Sequence, residues 1–143
     1  MDLRPLTDHF AVSPQITPQD VQVLADSGFH MIINNRPDAE NPPEFWSAEI
    51  EKAATVAGIT FLDNPIIGGM LDEASVEQQA KAMAAAGGPV VAYCASGMRS
   101  AAAWALAAAP TMDPDEIFDR LHAAGYALDG LRPTVEARAE KQT

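Results

Sequence analysis

The sequence predicts an α/β fold of three layers: a mostly parallel central sheet flanked by helices. Three observations lead there. Short apolar runs at 10–12, 29–33, 59–62 and 90–93 are bounded by Gly, Pro, Asn or Asp and have the length of strands. Between them lie stretches with apolar positions at helical spacing, opened by capping residues and closed by glycine. No repeat or linker interrupts the 143 residues, so one domain over 1–143 is expected, with a core from about 8 to 128. The tail, 129–143, reads as a short helix or a flexible end.

The first strand, 10–12, follows a lead that reads as flexible. Thr17-Pro18-Gln19-Asp20 supplies an N-cap, a proline at the first helical position and an acid at the third. Val21, Leu24 and Ala25 then share one face, and Gly28 stops the helix. The strand 29–33 runs into Asn34-Asn35-Arg36-Pro37-Asp38, either a polar loop at the active edge of the sheet or an ordinary turn. A helix over about 43–57 places Phe45, Trp46, Ile50, Ala53 and Ala54 on one broad face, with Gly58 as its stop. After the strand 59–62, the stretch from Asp63 to Met70 is a loop, and Gly68 and Gly69 make it mobile and suited to a lid. Asp72 or Ser75 caps a helix to Ala86, and Asp113-Pro114 opens another that Gly125 ends.

The chain is organised around VVAYCASGMRS, residues 90–100. The buried strand ends at Cys94, a tight loop of Ala95, Ser96, Gly97 and Met98 follows, and Arg99 and Ser100 lead into an alanine-rich helical run. Such a junction aims backbone N–H groups and the positive end of a helix dipole into one small concavity. A thiol there is favoured as thiolate. Arg99 supplies a planar fork for a tetrahedral oxyanion, and Gly97 lets the backbone turn inward. A lone cysteine at a strand end is by type a small hydrophobe. The glycine three residues on and the arginine five residues on reverse that reading.

Composition bounds the partners. A net charge of −11, from 20 acidic and 9 basic residues, argues against a nucleic-acid surface and against docking on anionic lipid. One cysteine excludes an internal disulfide and a cysteine-based metal cluster, which fits a reducing compartment. The first residues lack the apolar core of a signal peptide, and a cytoplasmic location is expected. His9, His30 and His122 show no ligand spacing, and neither a metal nor an organic cofactor is expected.

The stretch Ile33-Asn34-Asn35-Arg36-Pro37-Asp38, the Asn64-Pro65-Ile66-Ile67-Gly68-Gly69 loop and Cys94-x-x-Gly97-x-Arg99-Ser100 together resemble the bacterial beta-lactamase-hydrolase-like family. The resemblance covers about 8–110 and implies a cysteine-phosphatase-like fold with phosphatase or sulfur-transferase chemistry. It implies Cys94 as nucleophile, Arg99 as oxyanion binder, Ser100 as the hydroxyl that steadies the thiolate, and Arg36 and Asp38 as a supporting loop. It does not imply lactam hydrolysis. Cysteine phosphatases place five residues between Cys and Arg, whereas this chain places four, as rhodanese-type sulfur transferases do. Phosphatases also carry a general acid in the loop that corresponds to 65–69, where no carboxylate stands. Asp63 and Asp72 flank it and are the candidates for a catalytic acid if Gly68 and Gly69 let the loop fold over, with Asp72 having the alternative of a helix cap. The expectation is therefore a sulfur transferase with a Cys94 persulfide, acting on a small anionic or persulfide substrate with an external thiol acceptor. The alternative is a phosphatase working through a Cys94 phosphoenzyme. A second alternative is a non-catalytic anion-binding or redox-sensing module.

Overall fold

A computed structural model describes residues 1–67 and 71–140. Gly68 and Gly69, named above as lid residues, lie outside the described residues. The sheet has five strands: β1 (Arg4–Thr7), β2 (Phe10–Ser13), β3 (Met31–Asn34), β4 (Thr60–Asp63) and β5 (Val90–Tyr93), in the order β1-β2-β5-β3-β4. β1 is antiparallel to β2, and the remaining pairings are parallel.

Side-chain alternation sorts the strands onto two faces. Val12, Met31, Ile33, Val90 and Ala92 join one core cluster, and Ile32, Val91 and Tyr93 join the other. The second cluster is closed by α1 (Pro18–Asp26) and α2 (Ser47–Ala57). The first is closed by α3 (Glu73–Ala85), α4 (Met98–Ala108), α5 (Pro114–Ala123) and α6 (Arg132–Glu140). This is the three-layer arrangement expected. β2, β3 and β5 are buried throughout, as strands covered on both faces must be.

Three expectations need correction, and for the tail the helix is the alternative that holds. The lead is not free: Arg4–Thr7 pairs as β1, at the sheet edge where Pro5 is tolerated. The helix expected over 43–57 begins at Ser47, after short 3-10 turns at Asp38–Glu40 and Pro43–Phe45. Trp46 is extended, φ −61 and ψ 154, and breaks the helical path between Pro43 and Ser47. Most of the tail is the helix α6, held by buried Val135 and by Arg138, which donates to Leu106 O at 2.9 Å and to both Glu73 carboxylate oxygens at 2.8 Å. The helix after Cys94 starts at Met98, earlier than its alanine run.

α4 is the helix that places the site. Ala101, Ala103 and Ala105 are fully buried and let it lie close to the sheet, and Trp104 stacks on Phe10 with ring centroids 6.4 Å apart. Burying one such indole removes roughly 150–250 Å² from water, an upper-bound gain of about 4–6 kcal/mol. That anchor fixes where the N-terminus of α4 meets the end of β5.

Candidate active site

Cys94 leaves the central strand between β2 and β3, at the C-terminal edge where ligands bind in parallel sheets. Backbone bonds extend that edge: Cys94 N donates to Ser13 O at 3.3 Å and Asn35 N to Tyr93 O at 2.7 Å. The loop then turns through Gly97, φ +92, a conformation that L side chains rarely adopt. The turn sends Gly97 N–H to Cys94 Sγ, 3.1 Å away. Among the described residues the amides of Ala95 and Ser96 donate to no protein acceptor, and both precede the positive end of α4. The sulfur is fully buried.

Arg99 is fixed from outside the loop. Its Nη2 donates to Glu40 Oε1 at 2.7 Å, while Nη1 donates to Glu40 Oε2 at 2.9 Å and to Ile66 O at 2.8 Å. The hydrogen bond to Glu40, set against burial, and the neighbouring Cys94 sulfur push the Arg99 pKa up. Glu40 in turn has its carboxyl held below the usual value, chiefly by the Arg99 hydrogen bond. Arg36 braces it from the other side, with Nε 3.4 Å from Oε1 and Nη2 donating to Glu40 O at 3.0 Å. Gln15 joins three segments: its N donates to Ala95 O at 3.3 Å, and its Oε1 accepts from Arg36 at 3.2 Å and from Asn41 at 3.0 Å.

The loop carrying Ile66 rests on a buried amide cluster. Asn35 Nδ2 donates to Asn64 O at 2.9 Å, and Gln79 Oε1 accepts from Asn35 at 3.2 Å and from Asn64 at 3.1 Å. Ile66 N donates to Asn35 O at 3.0 Å. On the opposite side Tyr126, 4% exposed, donates to Ser96 O at 3.4 Å, and a Cβ built at Gly97 would overlap its hydroxyl.

The structure thus gathers Cys94, the 95–98 loop, Arg99 and Arg36 at one edge. Asp38 is not turned to the sulfur: it accepts from Ser47 N at 2.7 Å and caps α2. Asp63 accepts from Asn34 at 3.0 Å, and burial pushes its carboxyl up, with the like charge of Asp38 adding to it. Asp72 is the N-cap of α3, accepting from Ser75 N at 2.7 Å, and that bond holds its carboxyl low. Ser100 Oγ is buried and finds no hydrogen-bond partner among the described residues, Cys94 Sγ included. Glu40, Gln15, Gln79 and Tyr126 escaped the sequence reading of the site. Only Gln79, a buried amide on an otherwise apolar helix stripe three residues past Val76, carried a local signal.

A cysteine and an arginine bracketing an amide-rich turn, set between the central strand and a buried helix, define a phosphatase-like class of protein. The family model of the beta-lactamase hydrolase-like protein, phosphatase-like domain, matches residues 2–111, and the chain belongs to that family. A beta-lactamase hydrolase-like protein of Xylella fastidiosa strain Temecula1 is 31% identical over 130 residues, 90% of this chain and 30% of the relative's length. The chain therefore spans about a third of such relatives. A candidate phosphatase from Neisseria meningitidis Z2491 superposes with a TM-score of 0.80 at 34% identity, covering 96% of this chain and 99% of that one. Pseudomonas aeruginosa TpbA, as a cysteine-to-serine variant in complex with pTyr, shares the fold at TM-score 0.62 and 18% identity, covering 93% and 89%. The solved neighbours named here are described as phosphatases or share the phosphatase fold, and the expectation of sulfur transfer finds no support among them. No helix among the described residues is long and apolar enough to cross a membrane.

Proposed function

We propose that the chain is a cysteine-dependent phosphomonoesterase. The observation that carries this reading is the geometry of the Cys94 loop within a phosphatase-like fold. Gly97 N–H points at the sulfur, two further amides have no protein acceptor, and Arg99 is locked in place by Glu40. Cys94 thiolate attacks phosphorus, an S–P bond forms and the P–O bond to the leaving group breaks. The loop amides and Arg99 stabilise the charge that develops on the equatorial oxygens. Water then attacks the phosphocysteine and releases inorganic phosphate and the thiolate. Because the sulfur is fully buried, substrate access requires the 95–98 loop or the Arg99–Glu40 pair to shift outward.

One observation favours the second reading, sulfur transfer: only four residues separate Cys94 from Arg99, a ring that suits a persulfide sulfur. A single experiment separates the two. The protein and its Cys94→Ser variant are assayed with an aryl phosphate and, in parallel, with thiosulfate. Cys94-dependent phosphate release is the expected result. Cys94-dependent sulfur transfer without phosphate release would replace the reading with the second one. Sulfate or phosphate binding with no turnover would indicate an anion-binding module.

A further inference from the structure

A loop of amides stabilises negative charge only while its N–H groups face inward, and two carbonyl bonds on the outer side of the Cys94 loop bear on that. A trans peptide is planar and sets its C=O and N–H on opposite edges, and none of the described peptides is cis. A carbonyl held outward therefore turns the next residue's N–H inward. Gln15 N holds Ala95 O at 3.3 Å, and the Tyr126 hydroxyl holds Ser96 O at 3.4 Å. The second of these peptides carries the Gly97 N–H that lies 3.1 Å from Cys94 Sγ. Gly97 is poorly suited to fix that orientation alone, because glycine takes positive and negative φ about equally. The constraint has to come from outside the loop.

Tyr126 is seated to supply it. After α5 the chain turns through Gly125, φ +93, and Tyr126 N donates back to Leu121 O at 2.9 Å. Arg4 lies 5.4 Å from the Tyr126 ring centroid and donates from Nη1 to Ala124 O at 3.1 Å. A Cβ built on Gly97 would overlap the phenol oxygen, so ring and loop are in direct contact. Burial pushes the Tyr126 phenol up, against the pull of Arg4, and the neighbouring Cys94 sulfur adds to the rise. The hydroxyl therefore keeps its proton and serves as a donor. Tyr126 also stands beyond the residues, 2–111, that the family model matches.

Resting on the phosphatase reading above, we infer that Tyr126 is a positioning residue of the nucleophile loop: its hydroxyl pins the Ser96 carbonyl outward and so aims the Gly97 N–H at the Cys94 sulfur. An N–H so aimed stabilises the attacking thiolate by a charge-assisted hydrogen bond. Tyr126 acts through one peptide group and is not itself a catalytic residue.

The test is Tyr126→Phe, which keeps the ring and removes the donor. Protein labelled with ¹⁵N-glycine carries nine glycines, and the Gly97 amide signal is the one lost in Gly97→Ala. In Tyr126→Phe the Gly97 signal should move while those of the distant Gly28 and Gly58 stay in place. Cys94-dependent kcat/KM toward phenyl phosphate should fall about threefold to tenfold, the worth of one ordinary hydrogen bond, with the melting temperature near that of the parent protein. Arg4→Met, which loosens the seat of Tyr126 but leaves its hydroxyl, should move the Gly97 signal the same way by less, and it decides the matter if Tyr126→Phe folds poorly. An unmoved Gly97 signal in the folded variants overturns the inference, whatever the rate does. A moved signal with unchanged kcat/KM overturns the link from the peptide to the reaction. Failure of the phosphatase reading shows separately, as a parent protein whose phosphate release is absent or indifferent to Cys94→Ser, and the Gly97 signal then still decides the role of Tyr126.

Discussion

Replacing Glu40 by Gln removes the charge that fixes Arg99. The native pair makes two hydrogen bonds, 2.7 and 2.9 Å, with the Glu40 and Arg99 side chains 34% and 19% exposed. Exposed ion pairs contribute about 0–1 kcal/mol and bonds to charged groups about 1.5–3, so a pair at this burial is worth about 1–2 kcal/mol. Glutamine keeps one acceptor but sets an NH₂ group against an Arg99 donor. At pH 7 the variant should be less stable by that amount. Its kcat/KM toward an aryl phosphate should fall about tenfold, because about 1.4 kcal/mol of lost orientation is a factor of ten. The stability difference depends on pH in a fixed direction. Glu40 has its carboxyl held below the ordinary value of 4.5 in the folded chain, mainly by Arg99. Its contribution is therefore complete above about pH 4.5 and is lost as pH falls through the lower folded value. Urea unfolding of both proteins at pH 7, 5 and 3.5 should show a gap that narrows at the acid end. A gap that stays constant, or a variant with raised kcat/KM, would refute the argument; the latter would mean that Glu40 competes with phosphate for Arg99.

Gly97→Ala should cost about 1–3 kcal/mol, measured by thermal melting, because alanine must take φ +92 and its Cβ meets the Tyr126 hydroxyl. Adding Tyr126→Phe should recover the steric part and leave the backbone part. Asp72→Ala should lower the melting temperature through loss of the α3 cap while leaving kcat/KM within about twofold; a tenfold fall would make Asp72 the missing acid. Gln79→Leu leaves the Asn35 and Asn64 amides without their shared acceptor and should cost about 1–3 kcal/mol in urea unfolding, with weaker turnover because Ile66 O shifts from Arg99.

The parts of the site written locally were legible in the sequence. The junction 90–100 carries its strand, turn and helix signals within eleven consecutive positions, so neither the strand end at Cys94 nor the turn after it needed tertiary information. Glu40 did not announce itself: it is one of 20 acids, and its partner Arg99 stands 59 residues further along. Arg4–Thr7 failed for the complementary reason, since Arg-Pro-Leu-Thr has weak strand propensity and becomes a strand by pairing with β2. Asp38 looked like a site residue because it sits in the motif loop, yet its carboxylate accepts from Ser47 N at the start of α2. The choice between phosphatase and sulfur transferase rested on a one-residue difference in loop length and on the lack of a carboxylate at 65–69, features that fix ring size and one loop but leave the rest of the chemistry to distant side chains.

The clasp around Tyr126 bears on the order in which the molecule is assembled. Arg4 Nη1 donates to Ala124 O at 3.1 Å across 120 positions of chain, and its guanidinium lies 5.4 Å from the Tyr126 ring centroid. Arg120 donates to Leu6 O at 2.9 Å across 114 positions. Contacts of such sequence separation form late, after the loop-closure entropy has been met by nearer ones. During synthesis from the N-terminus, Cys94 and Arg99 are therefore present well before the phenol that presses on Gly97 and bonds Ser96 O. A nascent chain ending after α4 holds every residue of the Cys94–Arg99 loop but not its brace. The loop gains its Tyr126 brace only when the segment after α5 has been fastened to β1.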